Sequence, residues 1–342
     1  MKKVIFITLL GLVALPALFG QIEKYKSQYP DIPIIDVHVH VSGGGSKVVA
    51  EYLQIMETVK NEYGSNLAYI VGFFNERNES LASITATGKN RFLFASDDVR
   101  AHRGFMDTSK EIIERVQRGF VGLKFWFGAP YRRLQEGQAG ITRIDDPRMA
   151  PFFATLEKGN VLMTSLHIAD PNGPFDNRQV WMADPVYFWE QIRAFENVVA
   201  KYPRLTIVAA HCAWLFCQDG QLDYLRYMLS TYPNLYVDIS ATFQYWPLVN
   251  YDNLRDIFIE YQDRFLFGSD FGGRVTNKAE AFATNFALLE TELMIPGGIT
   301  GVITDNGLVA KGLNLPKEAL EKIYYKNALK LYPGMRELTG LK

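Results

Sequence analysis

IIDVHVH, residues 34–40, and FLFGSD, residues 265–270, decide how this chain folds. Each is a short apolar run that reads as a β-strand and ends in side chains that bind metals. VLMTSLH (161–167) and LTIVAAH (205–211) repeat the pattern between them. His38, His40, His167, His211 and Asp270 therefore stand at, or just past, the carboxyl ends of strand-like runs. The chain has only five histidines, so four of them at strand ends is a pattern and not scatter. Imidazoles are costly as packing elements but suit a metal site built at one mouth of a barrel.

Working outward, strand-like segments are expected at 34–39, 67–73, 92–96, 121–127, 161–166, 205–210, 235–240 and 264–268. Amphipathic stretches fall near 47–63, 76–89, 108–118, 147–159, 185–201, 219–232, 250–261 and 279–293. Eight strand-then-helix units in succession predict a parallel sheet closed into a (β/α)8 TIM barrel. An open, doubly wound sheet is the alternative, but no Gly-x-Gly-x-x-Gly turn follows the first strand. Gly43–Gly45 forms a loop directly after the histidine pair, 295–315 reads as a Gly-rich connection, and 315–332 as a final amphipathic helix. No linker, repeat or low-complexity tract divides 21–342, which reads as one domain.

Residues 1–20 read differently. Lys2 and Lys3 precede VIFITLLGLVALPALFG, with the charged and apolar regions of a secretory signal peptide. An uncleaved anchor is the alternative, since the run approaches the length of a membrane span. No cysteine follows to accept a lipid, so the expectation is a periplasmic or secreted product with no stable membrane span. Apolar residues make up 48% of the chain, enough for a substantial core, and the net charge of −1 offers no footprint for nucleic acid. Assembly into a homo-oligomer is left open. Cys212 and Cys217 read as structural, free or paired, since two cysteines make no disulfide framework.

Side chains alternate along a strand, so His38 and His40 point to the same side, where two neutral imidazoles chelate one divalent ion. Asp36 lies one step deeper and is placed to orient a ligand histidine. These motifs resemble the amidohydrolase superfamily of metal-dependent barrels, in its amidohydrolase-related branch of decarboxylases and lactonases. The resemblance covers roughly 34–332 and rests on IIDVHVH, GLKFW, SLHIADP, VAAHCAW, NLYVDIS, DRFLFGSD and IYYKNALKLY. It implies one Zn²⁺, or another divalent metal, held by His38, His40, His167 and Asp270. His211 then binds a second metal or polarises a substrate carbonyl. Bound zinc lowers the pKa of its water from about 15.7 to about 7. Asp270 beside that water serves as ligand and general base. Two-metal relatives carry a carboxylated lysine where Lys124 stands in VGLKFWF. An unmodified lysine, with a pKa of about 10.4, would repel a zinc ion. Lys124 is thus a metal bridge, a substrate anchor, or a structural partner for Asp36 or Asp98.

Substrate-facing candidates are Arg274, Trp126, Trp214 and His102, then Arg100, Arg132 and Arg133, with Asp176 and Arg178 in a loop able to close over the mouth. Phe243, Tyr245, Trp246 and Phe271 join the tryptophans as an aromatic pocket or as rim packing. Asp238 is a buried supporting acid or a partner for a loop arginine. The leading expectation is a metal-dependent hydrolase of a small, anionic ester, lactone or amide. A zinc-dependent decarboxylase is second, and a non-catalytic metal- or sugar-binding exported barrel third. Nothing suggests a redox cofactor.

Overall fold

The computed structural model describes residues 25–99, 105–128, 140–172, 185–272, 277–296 and 309–341. The leader at 1–20, and Arg100, His102, Arg132, Arg133, Asp176, Arg178 and Arg274, lie outside the described residues. Eight parallel strands run in sequence order: β1 Pro33–His40, β2 Asn66–Phe74, β3 Phe92–Val99, β4 Leu123–Phe127, β5 Met163–Ile168, β6 Ile207–Ala209, β7 Leu235–Asp238 and β8 Phe265–Leu266. Residues after β8 close the cylinder onto β1. Val37 N–H donates to Phe267 O at 3.0 Å, Asp270 N–H to His38 O at 2.9 Å, and His40 N–H to Phe271 O at 2.9 Å. The closed (β/α)8 barrel expected from the repeat is present as one domain.

Helices alternate with the strands: α1 Ser46–Tyr63, α2 Leu81–Thr87, α3 Phe105–Gln117, α4 Ala150–Lys158, α5 Pro185–Lys201, α6 Asp219–Thr231, α7 Tyr251–Glu260 and α8 Lys278–Glu290. The spacing of Val49, Tyr52, Met56 and Val59 gives α1 one apolar stripe, and Gly64 ends the helix in a left-handed cap. Two packed layers result. One lies between sheet and helices. The other fills the cylinder with Ile35, Val37, Val71, Phe73, Val208 and Leu266, and takes in Ala328, Leu329 and Tyr332 of the terminal helical segment. Among the described residues no helix is long and apolar enough to cross a membrane.

Two details depart from the sequence reading. The 295–315 connection contains an antiparallel pair, β9 Met294–Pro296 with β10 Val309–Lys311. Ile295 and Ala310 of it are fully buried, too short an apolar signal to see in advance. The β6 run also stops early, at Ala209, because the chain leaves extended geometry just beyond it.

Glu290, at the end of α8, joins the segment before β1 and the helical segment after β10 to the barrel. Its carboxylate accepts from Tyr25 Oη (3.0 Å), Ser27 Oγ (2.8 Å) and Tyr324 Oη (3.0 Å). Burial raises its pKa above the ordinary value despite these bonds. The neutral form is thus favoured by the fold. Its contribution to stability is full below the unfolded-state pKa of about 4.3 and is lost as pH rises through the folded value. The melting-temperature difference between Glu290→Gln and wild type should therefore move in favour of Gln as pH rises from about 4 to 7. A difference that stays flat would show that the hydrogen bonds compensate fully.

Candidate metal centre

His38 ends up buried and His40 about one-third exposed, with their rings 5.4 Å apart. Simple alternation does not explain this. Ile35 and Val37 pack inside the cylinder while Ile34, Val39 and Val41 pack outside, and the register against β2 shifts between Asp36 and Val39. That irregularity re-aims the end of β1, as bulges near sites do. Asp270, in the left-handed region at φ 62°, places Oδ1 3.1 Å from His38 Nε2 and 3.0 Å from His40 Nε2. Gly268 permits the approach, because a Cβ there would lie 2.9 Å from His38 Cβ.

Asp36 does not orient an imidazole. It accepts from the backbone N–H groups of His38 and Ser269, each at 3.0 Å, and from Ser269 Oγ at 2.6 Å. It ties β1 to the turn carrying Asp270, and burial pushes its carboxyl up to about 7. The acid that meets the other face of the His38 ring is Asp238 at the end of β7, whose Oδ2 lies 3.0 Å from His38 Nδ1. Its carboxyl is held far below the usual range by His38 in spite of burial.

On the far side, His167 of β5 and His211 after β6 face each other, with His167 Nδ1 3.1 Å from His211 Nε2. His211 begins a run of four non-glycine residues in left-handed geometry: His211, Cys212, Ala213 and Trp214 have φ of 57°, 51°, 51° and 59°. Left-handed backbone costs about 1–2 kcal/mol per non-glycine residue. The run is held by its surroundings. Asp238 Oδ1 accepts from His211 N–H at 3.1 Å, Cys212 Sγ donates to Asp238 O at 3.3 Å, and Trp214 stacks on His211 at 4.4 Å. Ala169 after β5 and Ala241 after β7 are left-handed too. Strain thus collects at the strand ends around the mouth, where functional sites tend to store it.

Whether these residues fit a divalent ion follows from their protons. A carbonyl oxygen only accepts, so His211 Nδ1, 2.9 Å from Ser240 O, carries the proton and Nε2 presents a lone pair. His167 Nε2, 3.1 Å from Ala169 O, likewise carries a proton and Nδ1 presents a lone pair. Burial keeps both rings neutral, lowering His167 to about 3 and His211 well below its ordinary value. Two lone pairs thus oppose each other at 3.1 Å, an arrangement that a cation between them satisfies. Near β1 the same demand shows as charge. Burial and Lys124 act to lower the His38 pKa, yet Asp238 and Asp270 outweigh them and raise it. Asp270 stays ionised, its carboxyl held well below the usual range by His38 and His40 despite burial. Neutral imidazoles and an ionised carboxylate are the donor set of a borderline metal such as zinc.

Lys124 sits inside this centre. Its Nζ lies 3.1 Å from His38 Nε2, donates to Ser165 Oγ at 2.9 Å, and stands 5.0 Å above the Phe73 ring. Burial lowers its pKa. Among the described residues its side-chain partners are Ser165 and His38 and not Asp36, so of the two structural pairings considered the one with Asp36 is not formed, and the side chain of Asp98 lies outside the described residues. A further trio, His38, His211 and Asp238, has ligand atoms close enough for a metal. Ser240 Oγ already occupies its centre, bonded to Asp238 Oδ1 and lying 3.0 Å from His38 Nδ1 and 2.9 Å from His211 Nδ1.

Of the two readings of the aromatic residues, a pocket or rim packing, most of them take the second. Phe243, Tyr245, Trp246 and Phe271 are buried in the outer core, and Trp214 is buried against His211. Trp126 is half-buried with its ring 5.4 Å from His167, a contact that needs Gly128, where a Cβ would lie 2.4 Å from Trp126 Nε1. Cys212 and Cys217 are free and buried. Ser165 and Ser240 were missed. Serines near strand ends are too common to stand out.

The profile of the Amidohydro_2 (amidohydrolase) family matches residues 99–334, more than half of the chain. No curated protein matches it. Similar solved structures include an uncharacterised TIM-barrel protein from Bordetella bronchiseptica, 16% identical with a TM-score of 0.56 over 87% of this chain and 98% of that one. A 5-carboxyvanillate decarboxylase from Novosphingobium aromaticivorans, complexed with manganese, is 12% identical with a TM-score of 0.47 over 91% and 98%. An amidohydrolase from Burkholderia multivorans with bound zinc is 13% identical with a TM-score of 0.46 over 88% and 99%. At 16% identity the Bordetella structure speaks for the barrel fold alone. With the family match and the donor set at the barrel mouth, the chain belongs to the amidohydrolase family, and with it to the metal-dependent enzymes of that superfamily.

Proposed function

We propose that this protein is a metal-dependent hydrolase of a small, anionic ester, lactone or amide, exported by the leader at 1–20. His38, His40, His167 and Asp270 hold one divalent ion, zinc in the first instance. The observation that carries the reading is the position of Asp270. Its Oδ1 is shared by two imidazole nitrogens while its side chain stays one-fifth open at the mouth. A bound divalent ion supplies Lewis acidity and lowers the pKa of water. Asp270 Oδ1 is committed to His38 and His40, so Oδ2 is the atom that takes the proton from attacking water and returns it to the leaving group. His211 presents a lone pair and not a proton at Nε2, so it supports the ion in preference to polarising a carbonyl. Trp214 and Trp126 shield the His167–His211 pair from water.

Elemental analysis of the purified protein should find close to one equivalent of divalent metal, and a panel of esters, lactones and amides should yield hydrolysis with ¹⁸O taken up from labelled water. Release of CO₂ from a carboxylated aromatic without such uptake would replace hydrolysis with decarboxylation. Metal-loaded protein inert to both panels would favour the non-catalytic binding role. His211→Asn should lose metal content together with activity; full metal content in that variant would return His211 to the substrate side.

A further inference from the structure

We propose that Asp238 and Ser240 are the positioning pair of this centre: together they hold the Nδ1 sides of His38 and His211, so that both Nε2 atoms are presented toward the ion. The inference rests on reading the site as a metal centre. Asp238 is fully buried, and both of its oxygens are committed. Oδ2 lies 3.0 Å from His38 Nδ1, while Oδ1 accepts from His211 N–H, from Ser240 N–H at 3.1 Å and from the Ser240 hydroxyl. An ionised carboxylate only accepts, so His38 Nδ1 carries a proton. The Ser240 hydroxyl has one proton and directs it to Asp238. Its lone pairs then face His38 Nδ1–H at 3.0 Å and His211 Nδ1–H at 2.9 Å, and its carbonyl takes His211 Nδ1–H as well.

Two residues at one strand end thereby set the tautomers of two imidazoles carried on different strands. Asp238 does more for His211: bonds to its backbone N–H and from Cys212 Sγ fasten the left-handed turn that carries the ring. No other described side chain reaches both histidines through the nitrogens that face away from the mouth. Partners of this kind fix ligand orientation, and their loss typically lowers metal affinity about 10–100-fold.

The test measures Zn²⁺ affinity by competition with a chromophoric chelator for wild type, Asp238→Asn, Ser240→Ala and Ser240→Thr. Each protein, with and without zinc, is also labelled with ¹⁵N-histidine to read which ring nitrogen bears the proton by NMR. Asp238→Asn should bind zinc about 10–100-fold more weakly and lose the protonated Nδ1 signature of His38. Ser240→Ala should weaken zinc binding, and Ser240→Thr, which keeps the hydroxyl, should restore it. A purely structural role would lower the melting temperature while leaving zinc affinity and both tautomers as in wild type, and that result overturns the proposal. If Asp238→Asn does not fold, the Ser240 pair decides: equal zinc affinity for Ala and Thr overturns it. Wild type with no zinc affinity would sink the metal reading itself. The tautomers would then still tell whether the pair orients the rings.

Discussion

Asp270→Asn should all but abolish turnover while substrate binding is largely retained. General-base assistance contributes about 10²–10⁴-fold to a rate. The amide keeps the shape of the carboxylate but removes both its charge and its ability to take a proton at Oδ2. It also places an NH₂ group where one of two lone-pair-bearing faces now meets His38 and His40. Part of the loss should therefore appear as weaker metal retention, so rates must be compared at saturating metal. Steady-state kinetics on the variant check this. A kcat within a few-fold of wild type under those conditions would remove Asp270 from the base role.

Removal of the ion is the second large effect. Prolonged chelation should eliminate activity, which should return on adding Zn²⁺ or Mn²⁺, and the melting temperature should fall with the metal. A ligand that binds only the folded state at 100 times its Kd stabilises by about 2.7 kcal/mol. The stripped centre also leaves the two lone pairs of His167 and His211 opposed across 3.1 Å and an ammonium or amine at Lys124 against His38. Lys124 decides the count. With Nζ donating to Ser165 Oγ, it needs no modification to be accommodated, so Lys124→Ala should keep close to one equivalent of metal. Two equivalents in wild type, lost together in that variant, would establish a carboxylated bridge and a two-metal centre. Activity that survives complete removal of metal would overturn the functional proposal.

The barrel was legible because its evidence is periodic: eight apolar runs, each separated by one amphipathic stretch, admit few topologies. The donor residues were legible because histidine is scarce here and sits where strands stop. What escaped the sequence depends on geometry that letters do not encode. Asp36 looked like a partner for a ring, but the register shift after it turns it toward Ser269 and the backbone. Asp238 remained one acid among two uses until the fold showed which atoms surround it. The aromatic residues after β6 and β7 have the composition of a pocket, and only burial separates Trp126 from Phe243, Tyr245 and Trp246. The turn at 211–214 contains no glycine, so its handedness had no local signal at all.

That turn has a consequence for how the protein would respond to selection for heat resistance. Glycine adopts φ near +50° without the clash that a Cβ brings, and relief at such a position offsets the extra freedom it gives the unfolded chain. Ala213→Gly, which gives up only a methyl group, should accordingly raise the melting temperature. The same change would slacken the tether that aims the neighbouring imidazole. Durability and reactivity pull against each other across these few peptide units, and a lineage evolved for one should be found to have surrendered some of the other.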